Sequence, residues 1–198
     1  MRASDILGHF SAKVDAPVDV NDVLAFMRDG GVECDVSFIE VELDTEILLG
    51  QYQKFYVRPV PYADPEAYAN IYYAKQMTRD WQRLVCCKEL LHLIDRDGHK
   101  ATTPDQIRKN AEHIGLPIQL RDFDAQDPIA NTDTIAEFFA LGILFPLAAR
   151  AALMDPFKAG KLKIDDIARF FDIPKQKASF VMTPNWESVH ANLMKMGL

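Results

Sequence analysis

The sequence predicts an α+β fold: a small mixed sheet packed on helices, with a short helical element at the C-terminus. Two features carry this expectation. Residues 32–43, 53–60 and 68–74 have the alternation, or the aromatic and β-branched content, of strands. Residues 84–94 and 133–154 are apolar over longer runs than an exposed amphipathic helix would be, so they read as buried helices. At 198 residues and 48% hydrophobic, the chain can bury a substantial core. The expected organisation is a main domain over residues 1–158, with residues 159–198 as a small helical element packed on it.

In chain order, Pro17 opens the first predicted helix, over residues 17–31. Asp19 or Asn21 can cap it, Val20, Val23, Leu24 and Met27 follow helical spacing, and Gly30-Gly31 stops it. The strand predicted over residues 32–43 slips at Phe38-Ile39, where a bulge or turn fits. The second strand is closed by Pro59 and Pro61, and the third is rich in tyrosine and isoleucine. Thr78-Arg79-Asp80 then opens the central helix, which should run to about Asp95. Pro104 starts another helix through about Ile114, and residues 117–131 look irregular. Thr132 can cap the long apolar helix, which Pro146 should kink or break. Ile164, Ile167, Ala168 and Phe171 outline a short helix, and Pro174 begins another, giving a helix-turn-helix outline read first as a packing unit.

Bulk properties exclude several classes. A net charge of −7 argues against non-specific nucleic-acid binding, because no basic excess is available to neutralise phosphates. Three cysteines, two of them adjacent, make neither a disulfide framework nor a CxxC zinc site. No signal-peptide pattern opens the chain, and its longest apolar run is twelve residues, too short for a bilayer. A soluble cytoplasmic protein without membrane contact is expected.

The chemistry centres on the buried helix. Its polar members are Lys88, Glu89 and His92; the first and last are four apart and share a face. Charged groups on a core helix cost free energy unless partnered, so they form either a structural polar cluster or the floor of a site. The spacing is that of HExxH, in which two histidines reach one zinc ion and the glutamate is general base for metal-bound water. Here lysine stands at the first histidine, and a protonated lysine has no lone pair to donate. Asp133 is the candidate third ligand, with Glu137 four residues on; alternatively Asp133 serves its helix dipole and Glu137 is simply exposed. Asp95, three residues after His92, and His99 and His113 are candidates to replace the missing ligand, with surface roles as the plainer reading. Arg83 calls for an acidic partner, and Trp81 reads as core. Tyr62, Tyr68, Tyr72 and Tyr73 either line a peptide groove beside an edge strand or pack within strands.

The ordered set of segments resembles the ImmA/IrrE family of zincin-like metallo-endopeptidases. Residues 83–92, RLVCCKELLH, are similar to that family's arginine-led HExxH segment. Residues 133–140, DTIAEFFA, followed by Leu144-Phe145-Pro146, are similar to its ExxANxFA…LLMP helix. Residues 16–20 with Gly30-Gly31-Val32 resemble its opening helix and strand, and residues 167–174 resemble a following short helix. The resemblance implies a zincin-like fold, Glu89 as general base, His92 as a zinc ligand and Asp133 at the position of a third-ligand glutamate. It puts Lys88 on the first ligand, where the match fails. It further implies a regulator that acts on a protein partner, a helix-turn-helix repressor or a phage or plasmid protein. Three expectations follow: a regulatory protein with a degenerate site, in which Lys88 stands in for the metal charge; an active peptidase with a rearranged zinc site; and a DNA-binding regulator using residues 162–182, which the acidic charge disfavours.

Overall fold

The computed structural model describes residues 1–95 and 128–196, with the backbone alone at 128–131. The fold is α+β, as the sequence predicts. Helices α1 (Ala3–Ser11) and α2 (Val20–Asp29) come first, followed by strands β1 (Asp35–Val41), β2 (Gly50–Val57) and β3 (Glu66–Ala74). Helix α3 (Arg79–Leu91) ends in a 3-10 turn, His92–Ile94. After it come α4 (Pro128–Leu144), α5 (Leu147–Lys158), α6 (Ile164–Phe171), α7 (Lys175–Val181) and α8 (Trp186–Lys195). The helix expected over residues 104–114 lies outside the described residues.

The three strands form one mixed sheet in the order β1-β3-β2, with β1 parallel and β2 antiparallel to β3. Ile71 at the centre pairs with Phe38 on one side and Tyr52 on the other, and is fully buried. Side chains alternate across a strand, so these three share the face on which α3 packs. The opposite side of α3 meets α4, and α4 in turn meets α1 and α8. Helix α3 is therefore the middle layer, which explains why Leu84, Val85, Cys87, Leu90 and Leu91 are all buried.

Local chemistry sets the ends of these elements. Asp19 caps α2, its carboxylate accepting from the Asn21 amide at 2.8 Å, and Val20, Val23, Leu24 and Met27 form the buried stripe. Gly31 follows with φ +92°, a left-handed turn that glycine adopts without a Cβ clash. The apolar helix begins at Pro128, before the expected cap, because proline fits a first helical turn; Thr132 is thus inside it and Asp133 stands in the second turn. Pro146 does break this helix: residues Thr132–Leu144 and Leu147–Lys158 are bent by 72°. Past the bend, Phe145 stacks on Phe171 of α6 at 3.7 Å between ring centroids. Trp186 of α8 and Ile167 and Phe171 of α6 join the same hydrophobic core as α1 to α4.

Helices α1 and α8 were not anticipated, although their signal is present. Ala3, Ile6, Leu7 and Phe10, and likewise Trp186, His190 and Leu193, recur at helical spacing and are the buried faces of the two helices. Tyr68, Tyr72 and Tyr73 are on β3, the middle strand, where they pair with residues of both flanking strands, and Tyr62 is fully exposed in the β2–β3 loop. Among the described residues no single helix is long and apolar enough to cross a membrane; α4 and α5 together reach that length and composition only across their bend.

Candidate functional site

The last turn of α3, the 3-10 turn with Asp95 just after it, and the second turn of α4 bring five of the candidate residues together. The Lys88 ammonium lies 2.6 Å from Asp133 Oδ1 and 2.9 Å from Glu89 Oε1. His92 turns Nε2 toward the same Asp133 oxygen at 3.4 Å and places Nδ1 2.5 Å from Asp95 Oδ2. Glu89 and His92 are buried, and the Lys88 and Asp133 side chains are only 13% and 15% exposed. The HxxD spacing of His92 and Asp95 is therefore a real pair.

The remaining candidates go elsewhere. Glu137, one turn beyond Asp133, pairs with Lys177 of α7, whose ammonium also lies over the Trp81 ring. His99 and His113 lie outside the described residues. Arg83 finds its acidic partner in Asp172 at 3.1 Å, and its guanidinium also donates to the carbonyls of Val18, Phe171 and Asp172. It ties the entry of α2 and the α6–α7 turn to α3, and so acts in the fold rather than in the cluster.

Two contributors carried no sequence signal. Tyr52 of β2 stacks on the His92 ring, 5.6 Å between centroids and 16° from parallel, which fixes the imidazole plane. Gly50, at the start of β2, lets the strand pass over α3 beside Glu89: a Cβ there would meet Val85 Cγ1 at 2.3 Å and the Tyr72 carbonyl at 3.0 Å. Both depend on how β2 crosses α3, which a linear pattern does not encode.

Electrostatics follows from this packing. Burial works against a charged Lys88, but the charges and hydrogen bonds of Asp133 and Glu89 outweigh it and raise its pKa well above the usual lysine value. Burial likewise opposes a charged His92; hydrogen bonds to Asp133 and Asp95 and the nearby carboxylate charges prevail, lifting its pKa to about 9. For Asp133 burial acts upward, but the Lys88 and His92 cations hold its pKa well below the ordinary carboxylate range. The cluster thus favours the charged forms of Lys88, His92 and Asp133 together.

Glu89, His92 and Asp133 each offer a ligand atom, and these atoms lie within 4.8 Å of one another. By composition they could hold a metal ion. As arranged, the Lys88 ammonium competes with an ion for both carboxylates. Zinc binds carboxylate oxygen at about 2.0–2.2 Å and needs a neutral imidazole nitrogen. Here the Lys88 ammonium lies within 2.9 Å of both carboxylates, and the raised His92 pKa favours the protonated ring over the neutral ligand form. Glu89 is engaged by Lys88, and His92 by Asp95 and Asp133. What the arrangement does provide is a charged tie between α3 and α4 across 45 residues of sequence.

No protein-family model matches the chain, and neither a curated protein nor a solved structure matches it.

Proposed function

We propose that this chain is a regulatory protein of the ImmA/IrrE type in which Lys88 has taken the place of the zinc ion, and that it binds a protein partner without cleaving it. A zincin-like architecture is part of the proposal. The observation that carries it is the Lys88 ammonium seated between Glu89 and Asp133, at 2.9 and 2.6 Å. A single positive charge can balance buried carboxylates, but it has no open coordination position and cannot activate water. The order of similar segments along the sequence supports the family, and through it a helix-turn-helix repressor or a phage or plasmid protein as partner.

A second reading, an active zinc endopeptidase, draws on the proximity of the Glu89, His92 and Asp133 ligand atoms. Metal analysis of the purified protein separates the two. The proposal expects no stoichiometric zinc in the wild type, and zinc uptake in a Lys88→His variant that a further His92→Ala change abolishes. Stoichiometric wild-type zinc that is lost in His92→Ala would overturn it. A repressor partner should be bound and recovered intact; chelator-sensitive cleavage that stops in Glu89→Gln would establish the second reading instead.

A further inference from the structure

A separate cleft borders the side of α3 turned away from Lys88 and His92. Helical residues advance by about 100° each, so Arg79, Gln82, Arg83 and Cys86 form a stripe nearly opposite that pair. Along this stripe α3, the adjoining faces of β1 and β3 and the first turn of α2 enclose a half-open cleft of about 310 Å³. That is at the lower end of small-molecule sites, roughly 300–1,000 Å³. Val20 and Phe38 supply apolar wall; Tyr73, Arg79 and Gln82 supply polar groups.

The hydrogen bonds already made decide which of those groups are available. Arg83 directs its donors into the protein, to Val18, Phe171 and Asp172. Gln82 uses its amide nitrogen on Glu40 and the Ala74 carbonyl, which leaves its side-chain oxygen as an acceptor. The Tyr73 hydroxyl has no hydrogen-bond partner among the described residues, although Tyr73 lines the cleft. Arg79 meets Asp172 through Nε at 3.0 Å, and its side chain is 81% exposed. One oxygen of Asp172 serves both Arg79 and Arg83, at 3.0 and 3.1 Å. Asp19, the acidic residue of the lining, is engaged by the Asn21 backbone and side-chain amides. The cleft mouth therefore offers one solvent-facing guanidinium, that of Arg79.

We propose that this cleft binds a small amphiphilic monoanion: a carboxylate or sulfonate held by Arg79, an apolar body against Val20 and Phe38, and hydrogen bonds to Tyr73 and Gln82. The site is independent of the metal question, since it uses the other side of α3.

The probes are 8-anilinonaphthalene-1-sulfonate and its uncharged relative N-phenyl-1-naphthylamine, titrated into the full chain with fluorescence as readout. Both should saturate at one site. Arg79→Gln should weaken the sulfonate about tenfold or more, the scale of one charge-assisted hydrogen bond, and leave the neutral dye within about twofold. Asn21→Trp, at an exposed position on the rim, should block both dyes while circular dichroism stays unchanged; Cys86→Phe is a second block from the cleft floor. Absence of saturable binding overturns the proposal. So does sulfonate binding that survives both blocking variants, or binding lost instead in Tyr56→Ser/Val57→Ser, which would place the dye on the exposed end of β2.

Discussion

Replacing Lys88 with methionine retains most of the side-chain stem and deletes the ammonium, leaving Glu89 and Asp133 facing each other with His92 as the remaining cation. The Lys88, Glu89 and Asp133 side chains are 13%, 5% and 15% exposed, so water screens the carboxylates poorly. Removing one partner of a buried ion pair costs about 3–5 kcal/mol, because the other charge is stranded. For a chain of this size about 1 kcal/mol shifts Tm by roughly 2–4 °C, so a fall on the order of 6–20 °C is expected. Urea unfolding followed by circular dichroism, with chelator present to exclude adventitious metal, gives the free energy directly. Asp133→Asn should also destabilise the wild type, yet cost much less in the Lys88→Met background, since the charge it removes has by then lost its nearer cation and keeps only His92 at 3.4 Å. A Lys88→Met effect below about 0.5 kcal/mol, the range of ordinary surface substitutions, would refute a buried ammonium. Strict additivity of the two changes would refute the Lys88–Asp133 contact.

Arg83→Gln should destabilise by about 3 kcal/mol, because it leaves three carbonyl acceptors unpaired and Asp172 with Arg79 as its remaining partner; Arg83→Lys should recover little, one ammonium being unable to reach them all. Gly50→Ala should cost about 1–3 kcal/mol by overpacking, since its Cβ would overlap Val85 and the backbone of β3; thermal unfolding reads this. The His92 pKa is raised by folding, from 6.5 to about 9, so its stabilisation is complete below pH 6.5 and lost as pH rises through 9. Asp133 behaves oppositely: its pKa is lowered, and its contribution is present above the usual 3.8 and disappears as acid approaches its folded value. Urea stability measured against pH should therefore decline between about pH 7 and 9, and His92→Gln should remove that decline.

The parts of the fold that follow from repeating patterns were legible. Burial of 84–94, the three strand regions and the break at Pro146 all reflect side-chain periodicity or proline geometry, which are local properties. The end of α3 was not: the apolar pattern predicts a helix to about Asp95, whereas the α-helix stops at Leu91 and tightens into a 3-10 turn. In the site, the helical spacing of Lys88 and His92 and the polar start of the apolar helix named Lys88, Glu89, His92 and Asp133 together. Glu137 shares a helix face with Asp133 in sequence terms, yet it is drawn to Lys177 of α7, a contact set by how α7 packs on α4. Gly50 and Tyr52 could not be foreseen for the same reason: their roles depend on the path of a neighbouring strand over a helix.

In the proposed reading, charge balance explains how a lysine can stand at the position of a zinc ligand. A divalent ion held by neutral imidazole contributes two positive charges to a cluster of carboxylates. Lys88 and protonated His92 contribute the same two charges, spread over two monovalent groups that both approach Asp133. In the proposed reading the exchange keeps the electrostatic balance between α3 and α4 while removing the one ingredient that chemistry needs, a Lewis acid with a free coordination position. It also makes the two states mutually exclusive. A metal ion requires His92 to lose its proton and the ammonium to leave Glu89 and Asp133, and each step opposes the interactions that raise both pKa values. Shortening residue 88 to histidine removes the ammonium and supplies a lone pair in one substitution. Zinc added to Lys88→His should therefore restore the stability lost by that change and release protons on binding, whereas added zinc should leave the wild-type unfolding curve where it is.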